Sequence, residues 1–105
     1  AVTQTERIFG PLDGAVAGAG ISATHPAEEF PRQDWTNVLD VSLTGCFNTC
    51  QAVGARLIEN GGGSIVTISS VVAHGAHAGR IAYCAAKSGV VGITKALNGG
   101  LWAFG

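Results

Sequence analysis

A chain of 105 residues can form one small domain at most, and such a domain has little stability to spare. Its apolar content of 47% against 12% charged is rich for a small solvated protein, so much of its surface is expected to face a partner subunit or further parts of a larger domain. A net charge of -1 with no basic run argues against nucleic acid and anionic membranes as partners, and no stretch is long and apolar enough to span a bilayer. With no secretory pattern at the N-terminus either, a soluble cytoplasmic protein is expected.

In chain order, the polar start Thr3-Gln4-Thr5-Glu6-Arg7 is broken by Gly10-Pro11. Leu12 to Ala17 reads as a short buried strand. Gly18-Ala19-Gly20-Ile21-Ser22-Ala23 then spells the dinucleotide pattern G-x-G-x-x-A. That pattern has to open a helix, yet Thr24-His25-Pro26 follows and the next helix is expected only from about Asp34, so the match is read as a decoy.

From Asp34 to Asn60 apolar residues recur at helical spacing, which predicts one long helix with Asp34 as N-cap, a bend near Gly45 and a stop at Gly61-Gly62-Gly63. Ser64 to Ser69 is a second strand, and Val71 to Arg80 a Gly-rich loop in which His74, His77 and Arg80 read as solvated. A second helix starts at about Ile81, runs to Leu97 and is ended by Asn98-Gly99-Gly100, leaving the apolar tail Leu101 to Gly105 without a place in a lone domain. Strand, helix, strand, helix implies a right-handed parallel crossover. The fold class is therefore α/β, a partial doubly wound, Rossmann-like parallel sheet. Cys46 and Cys50 stand one helical turn apart as core residues, and His25, His74 and His77 have no zinc-type spacing with the cysteines, so neither a disulfide framework nor a metal site is expected.

The chemistry-bearing residues gather between Ser70 and Lys87. Tyr83 and Lys87, four residues apart, share one face of a helix, and an ammonium beside a phenol favours the phenolate. Tyr83 would then be a usable general acid/base. Ser70, at the carboxyl end of the second strand, stands where open parallel sheets place their ligands.

Ser70, the Tyr83-x-x-x-Lys87 pair, their spacing, and the runs Ile65-Val66-Thr67-Ile68-Ser69-Ser70 and Ala85-Ala86-Lys87-Ser88-Gly89-Val90 resemble the short-chain dehydrogenase/reductase family. The resemblance implies hydride transfer between NAD or NADP and a small carbonyl or alcohol substrate. Ser70 would polarise the reacting oxygen, Tyr83 transfer the proton, and Lys87 assist Tyr83 and hold the nicotinamide ribose. The family's Asn-Asn-Ala-Gly turn reads Ala17-Gly18-Ala19-Gly20 here, with backbone at Gly18 left to line the cofactor. Its catalytic Val-Asn-Leu reads Val41-Ser42-Leu43, which puts Ser42 in the place of the proton relay.

The resemblance also implies that residues 1–105 are one incomplete segment of an NAD(P)-binding domain, since neither the family's Thr-Gly-x-x-x-Gly-x-Gly phosphate loop nor its C-terminal substrate region has a counterpart here. In the family the two long helices pair with their copies, giving a homodimer or homotetramer, and Gly45, Gly54, Gly89 and Gly92 would permit close approach. The competing expectation is a non-catalytic, dimerising module of the same ancestry.

Overall fold

The computed structural model describes residues 1–75 and 77–98. The expected stop at Gly99-Gly100 and the tail from Leu101 to Gly105 lie outside them. The polar start forms α1, Val2–Phe9, closed by Gly10 with φ 90°. Glu6 on this helix joins distant parts of the chain. Its carboxylate accepts hydrogen bonds from the Leu12 N–H (3.0 Å), Arg56 Nε (2.6 Å) and Asn60 Nδ2 (3.1 Å), and its side chain is only 10% exposed.

These donors, the Leu12 N–H foremost, then Asn60 and Arg56, hold the Glu6 carboxyl below its ordinary value of 4.5. A depressed carboxylate contributes stability that is present above the unfolded pKa and is lost as pH falls through the folded one. Glu6→Gln is therefore expected to lower stability at neutral pH and to flatten its decline below about pH 4.5, read from urea melts across that range. An unchanged acid limb would remove Glu6 from the acid response.

The first strand, β1, is Gly14–Ala17, two residues shorter than expected, because the Leu12 N–H goes to Glu6 rather than to a ladder. It pairs in parallel with β2, Ser64–Thr67, in the register Gly14↔Ser64 to Ala17↔Thr67. β2 also ends before the expected Ser69, and beyond it the Ser69 hydroxyl donates to the Lys87 carbonyl while Ser70 Oγ accepts from the Val72 N–H.

The long helix differs from expectation in its start and its bend. α2, Arg32–Leu39, begins behind Pro31, whose extended backbone and missing N–H suit a helix entry. Asp34 lies in its first turn and is no N-cap. Its carboxylate meets His25 Nε2 at 2.7 Å. The axis then passes through a π-helical turn, Asp40–Thr44, before α3, Gly45–Glu59, so the irregularity precedes Gly45 rather than centring on it. π turns inside helices often mark functional positions, and this one carries Ser42. The stop after Glu59 is as read: Gly61 adopts φ 93°, and the N–H groups of Gly62 and Gly61 return to the Leu57 and Ile58 carbonyls in a Schellman closure.

The last helix, α4, is Ile81–Ala96. It packs with α3 on one sheet face, around Ala17, Cys46, Cys50 and Val90, while Val38, Ala82 and Ala86 form a second cluster where α4 meets α2. Burial, with Cys46 alongside, raises the Cys50 thiol to about 11, which suits an inert core residue. On the opposite sheet face Val16 and Val66, neighbours in the register, are 66% and 52% exposed. A single helical layer covers one side of a sheet only, which explains the apolar excess in the composition.

Of the four glycines expected to face a second copy, two serve this chain instead. Gly54 is buried, and a Cβ on Gly89 would stand 2.7 Å from Leu43 Cδ1, so α4 seats directly on the π turn. Gly92 has no atom within 4 Å of an added Cβ among the described residues.

Candidate functional site

Because β1 and β2 end at one level, their exits leave the sheet side by side at its carboxyl edge, the usual ligand position in open parallel sheets. Between them and α4 lies a cleft of about 290 Å³. Gly18, Gly20 and Ile21 form its wall on the β1 side and Ile68 and Ser69 on the β2 side, while Arg80, Tyr83 and Lys87 come from the start of α4. A larger hollow of about 450 Å³ lies against α1, β1 and α3, but no acidic, basic or histidine side chain lines it. Convergent polar groups, rather than size, therefore select the smaller cleft.

Lys87 is 4% exposed, and its ammonium donates to the Ile68 carbonyl at 2.9 Å. Nζ lies 5.6 Å from the centroid of the Tyr83 ring, so the spacing of four does place the pair on one face. A Lys ammonium carries three donors, and the carbonyl takes one. A Cβ on Gly20 would come within 3.4 Å of Nζ and 3.6 Å of Ser42 Oγ, so the missing side chain leaves a small space beside both. The Ser69 hydroxyl donates to the Lys87 carbonyl at 3.0 Å, which ties the β2 exit to α4 at a second point.

Ser42 is 1% exposed on the π turn. Its Oγ accepts from the Ile21 N–H at 3.1 Å and donates to the Ile21 carbonyl at 3.0 Å. The hydroxyl has one proton, and that proton goes to Ile21. Ser42 thus holds the β1 exit in place.

Ser70 caps a short 3-10 turn, Val71–Ala73, its Oγ accepting from the Val72 N–H at 3.3 Å. Among the described residues its own proton meets no acceptor. The cleft wall is nonetheless drawn by Ser69, the neighbour that sequence reasoning left as an ordinary strand residue. Gly18 lines the cleft, although the packing around it would admit a Cβ, with Ile68 Cγ1 the nearest atom at 3.7 Å.

The structure thus brings Gly18, Tyr83 and Lys87 to one cleft, puts Ser42 behind its wall and sets Ser70 beside it. Arg80, read as solvated, is exposed but lies with its guanidinium carbon 5.5 Å from the Tyr83 ring centroid. The available signal was its place three residues before Tyr83, on the same helical face. His74 and His77 are exposed, as read. Among the described residues no three His, Cys, Asp or Glu side chains gather as metal ligands, and no helix is long and apolar enough to cross a membrane.

A phenol, a buried ammonium and a glycine-lined gap at a parallel sheet's edge suit proton transfer to a ligand that carries hydroxyl groups. The family model described as short chain dehydrogenase matches residues 1–102. The chain is 48% identical over 89 residues to D-threitol dehydrogenase of Mycolicibacterium smegmatis, covering 85% of this chain and 34% of that protein. It is 38% identical over 96 residues to gluconate 5-dehydrogenase of Gluconobacter oxydans, covering 91% and 38%. The crystal structure of levodione reductase superposes with a TM-score of 0.85 at 35% identity, covering 89% of this chain and 36% of that one. The chain spans little more than a third of the length of each of these three.

Proposed function

The chain belongs to the short-chain dehydrogenase family, and from that premise we propose that it serves an oxidoreductase moving a hydride between NAD or NADP and a carbonyl or alcohol carbon. The observation that carries this reading is the buried Lys87 ammonium, held by the Ile68 carbonyl beside Tyr83 and above the gap at Gly20. Two further donors on Nζ and a space with no side chain in it fit the hydroxyls of a nicotinamide ribose, with Gly18 along the same wall. The nicotinamide ring, when bound, supplies or accepts the hydride.

The chain's own residues handle the proton and the position of the reacting oxygen. In reduction Tyr83 gives its phenolic proton to the oxygen of the carbonyl as that oxygen becomes a hydroxyl, and in oxidation it takes the proton back. Lys87 sets a positive charge near the phenol oxygen on which negative charge develops when the proton leaves. Ser70, whose oxygen already accepts from Val72, donates its proton to the reacting oxygen. Ser42 acts by positioning, fixing Ile21 and with it the Gly20 wall.

The two relatives named above are dehydrogenases of D-threitol and gluconate, so we take a small hydroxylated molecule as the substrate class. The same names favour an enzyme over a non-catalytic module. The apolar surface of α3, with Phe47 48% exposed beside a hollow of about 350 Å³ that Ile58 and Ala55 also line, is read as the face that meets a second copy.

The test mixes the protein with NAD or NADP and a panel of small polyols and hydroxy acids, D-threitol and gluconate among them, and follows the nicotinamide absorbance. Reduction of one cofactor with at least one alcohol is expected. Absence of turnover together with absence of binding of either cofactor by calorimetry would overturn the reading.

A further inference from the structure

We propose, resting on the oxidoreductase reading above, that Arg80 determines specificity by receiving a carboxylate of the substrate, which makes small hydroxycarboxylates and their oxo forms the preferred class. The argument starts from charge. Among the described residues the cleft wall carries two cations, Arg80 and Lys87, and no acid. Among the described residues the ion pairs are His25 with Asp34 and Arg56 with Glu6 and Glu59, so Arg80 has no carboxylate partner there.

Geometry then separates the two cations. Arg80 and Lys87 are seven residues apart, two helical turns or about 10 Å along the axis, with Tyr83 between them. Each lies about as far from the phenol ring, 5.5 Å for the guanidinium carbon and 5.6 Å for Nζ. Along the helix Tyr83 therefore stands between the two cations. The Lys87 end is buried, with Gly20 and Ser42 close by, and suits the ribose. The Arg80 end is open to solvent and remains for the part of the substrate beyond its reacting carbon.

The backbone at Arg80 is fixed before any ligand arrives. Gly79 adopts φ +82°, a conformation that side chains disfavour, and a Cβ there would lie 3.1 Å from Thr24 Cγ2. Its carbonyl accepts from the His25 N–H at 2.9 Å, and the Arg80 carbonyl accepts from Cys84 N at 2.8 Å. The loop after β1 thus locks the residue that precedes Arg80. A guanidinium over an aromatic ring keeps its fork of N–H donors available, and that fork matches a carboxylate in bidentate fashion. Sequence reasoning took Arg80 for a solvated helix-start residue. Its place over the proton-transferring ring assigns it this second role.

The experiment compares kcat/KM for pairs that differ only in a carboxylate against a hydroxymethyl group, gluconate with sorbitol and threonate with threitol, in the wild-type protein, Arg80→Ala and Arg80→Lys. The acid-to-polyol ratio is expected to fall at least about tenfold in Arg80→Ala, mainly through KM, and to recover in part in Arg80→Lys. An unchanged ratio in both variants overturns the proposal while leaving the oxidoreductase reading in place. So does an equal loss on both members of a pair with a raised cofactor KM, since Arg80 would then serve the cofactor. Wild-type protein that turns over no pair overturns this proposal, and if it also binds neither cofactor by calorimetry the oxidoreductase reading falls with it.

Discussion

Tyr83→Phe is expected to lower kcat by about two to four powers of ten while the protein keeps its fold and its affinity for cofactor. The substitution removes one oxygen and nothing else. The ring packs against the cluster of Val38, Ala82 and Ala86, and those contacts involve its apolar part, so the helix pair α2 and α4 keeps its interface. The two cations near the ring also keep their aromatic neighbour. Steady-state kinetics with a matched circular dichroism spectrum checks the outcome. Turnover at the wild-type rate in a folded Tyr83→Phe protein would take the phenol out of the reaction.

Lys87→Met separates function from stability at a single position. The native side chain is buried at 4% exposure with one carbonyl acceptor, and burying an ammonium is costly. Methionine has similar length, fills the same channel between β2 and α4, and carries no charge to desolvate. It leaves the Ile68 carbonyl without that donor, which offsets part of the gain. The melting temperature is expected to stay within a few degrees of wild type or to rise, as replacement of buried charge by apolar volume often allows.

Cofactor binding should move the other way, weakening by about ten- to a hundredfold for the loss of charge-assisted hydrogen bonds. Calorimetric titration with NAD and NADP beside a thermal melt reads both quantities on one sample. Unchanged affinity would show that the ammonium does not hold the cofactor. A collapse of the melt would show that Lys87 is kept for the fold.

Much of this was legible in the residues themselves. Helical spacing from Val38 to Leu57 and from Ala82 to Val90 announced the long helices, Gly61 announced the stop, and the interval between Tyr83 and Lys87 announced a shared face. These features are local: a period of 3.6, a glycine at positive φ and a spacing of four are properties of a few consecutive residues. The family resemblance carried the same residues to a chemistry because its motif is local too.

The sequence by itself determined the order of the elements and placed the phenol and the ammonium on one helix. Tertiary structure alone decided the remaining pairings. Glu6 meets Arg56 across fifty residues, Ser42 gives its proton to Ile21 across twenty-one, and Lys87 reaches the Ile68 carbonyl across nineteen. It also decided that Ser69 lines the cleft with Ser70 beside it, and that Arg80, behind Gly79, lies over the Tyr83 ring. The physical reason is that a period fixes which face a side chain occupies, whereas the group it meets depends on how separate elements pack. Hydroxyls and cations have several acceptors or ligands open to them until that packing selects one.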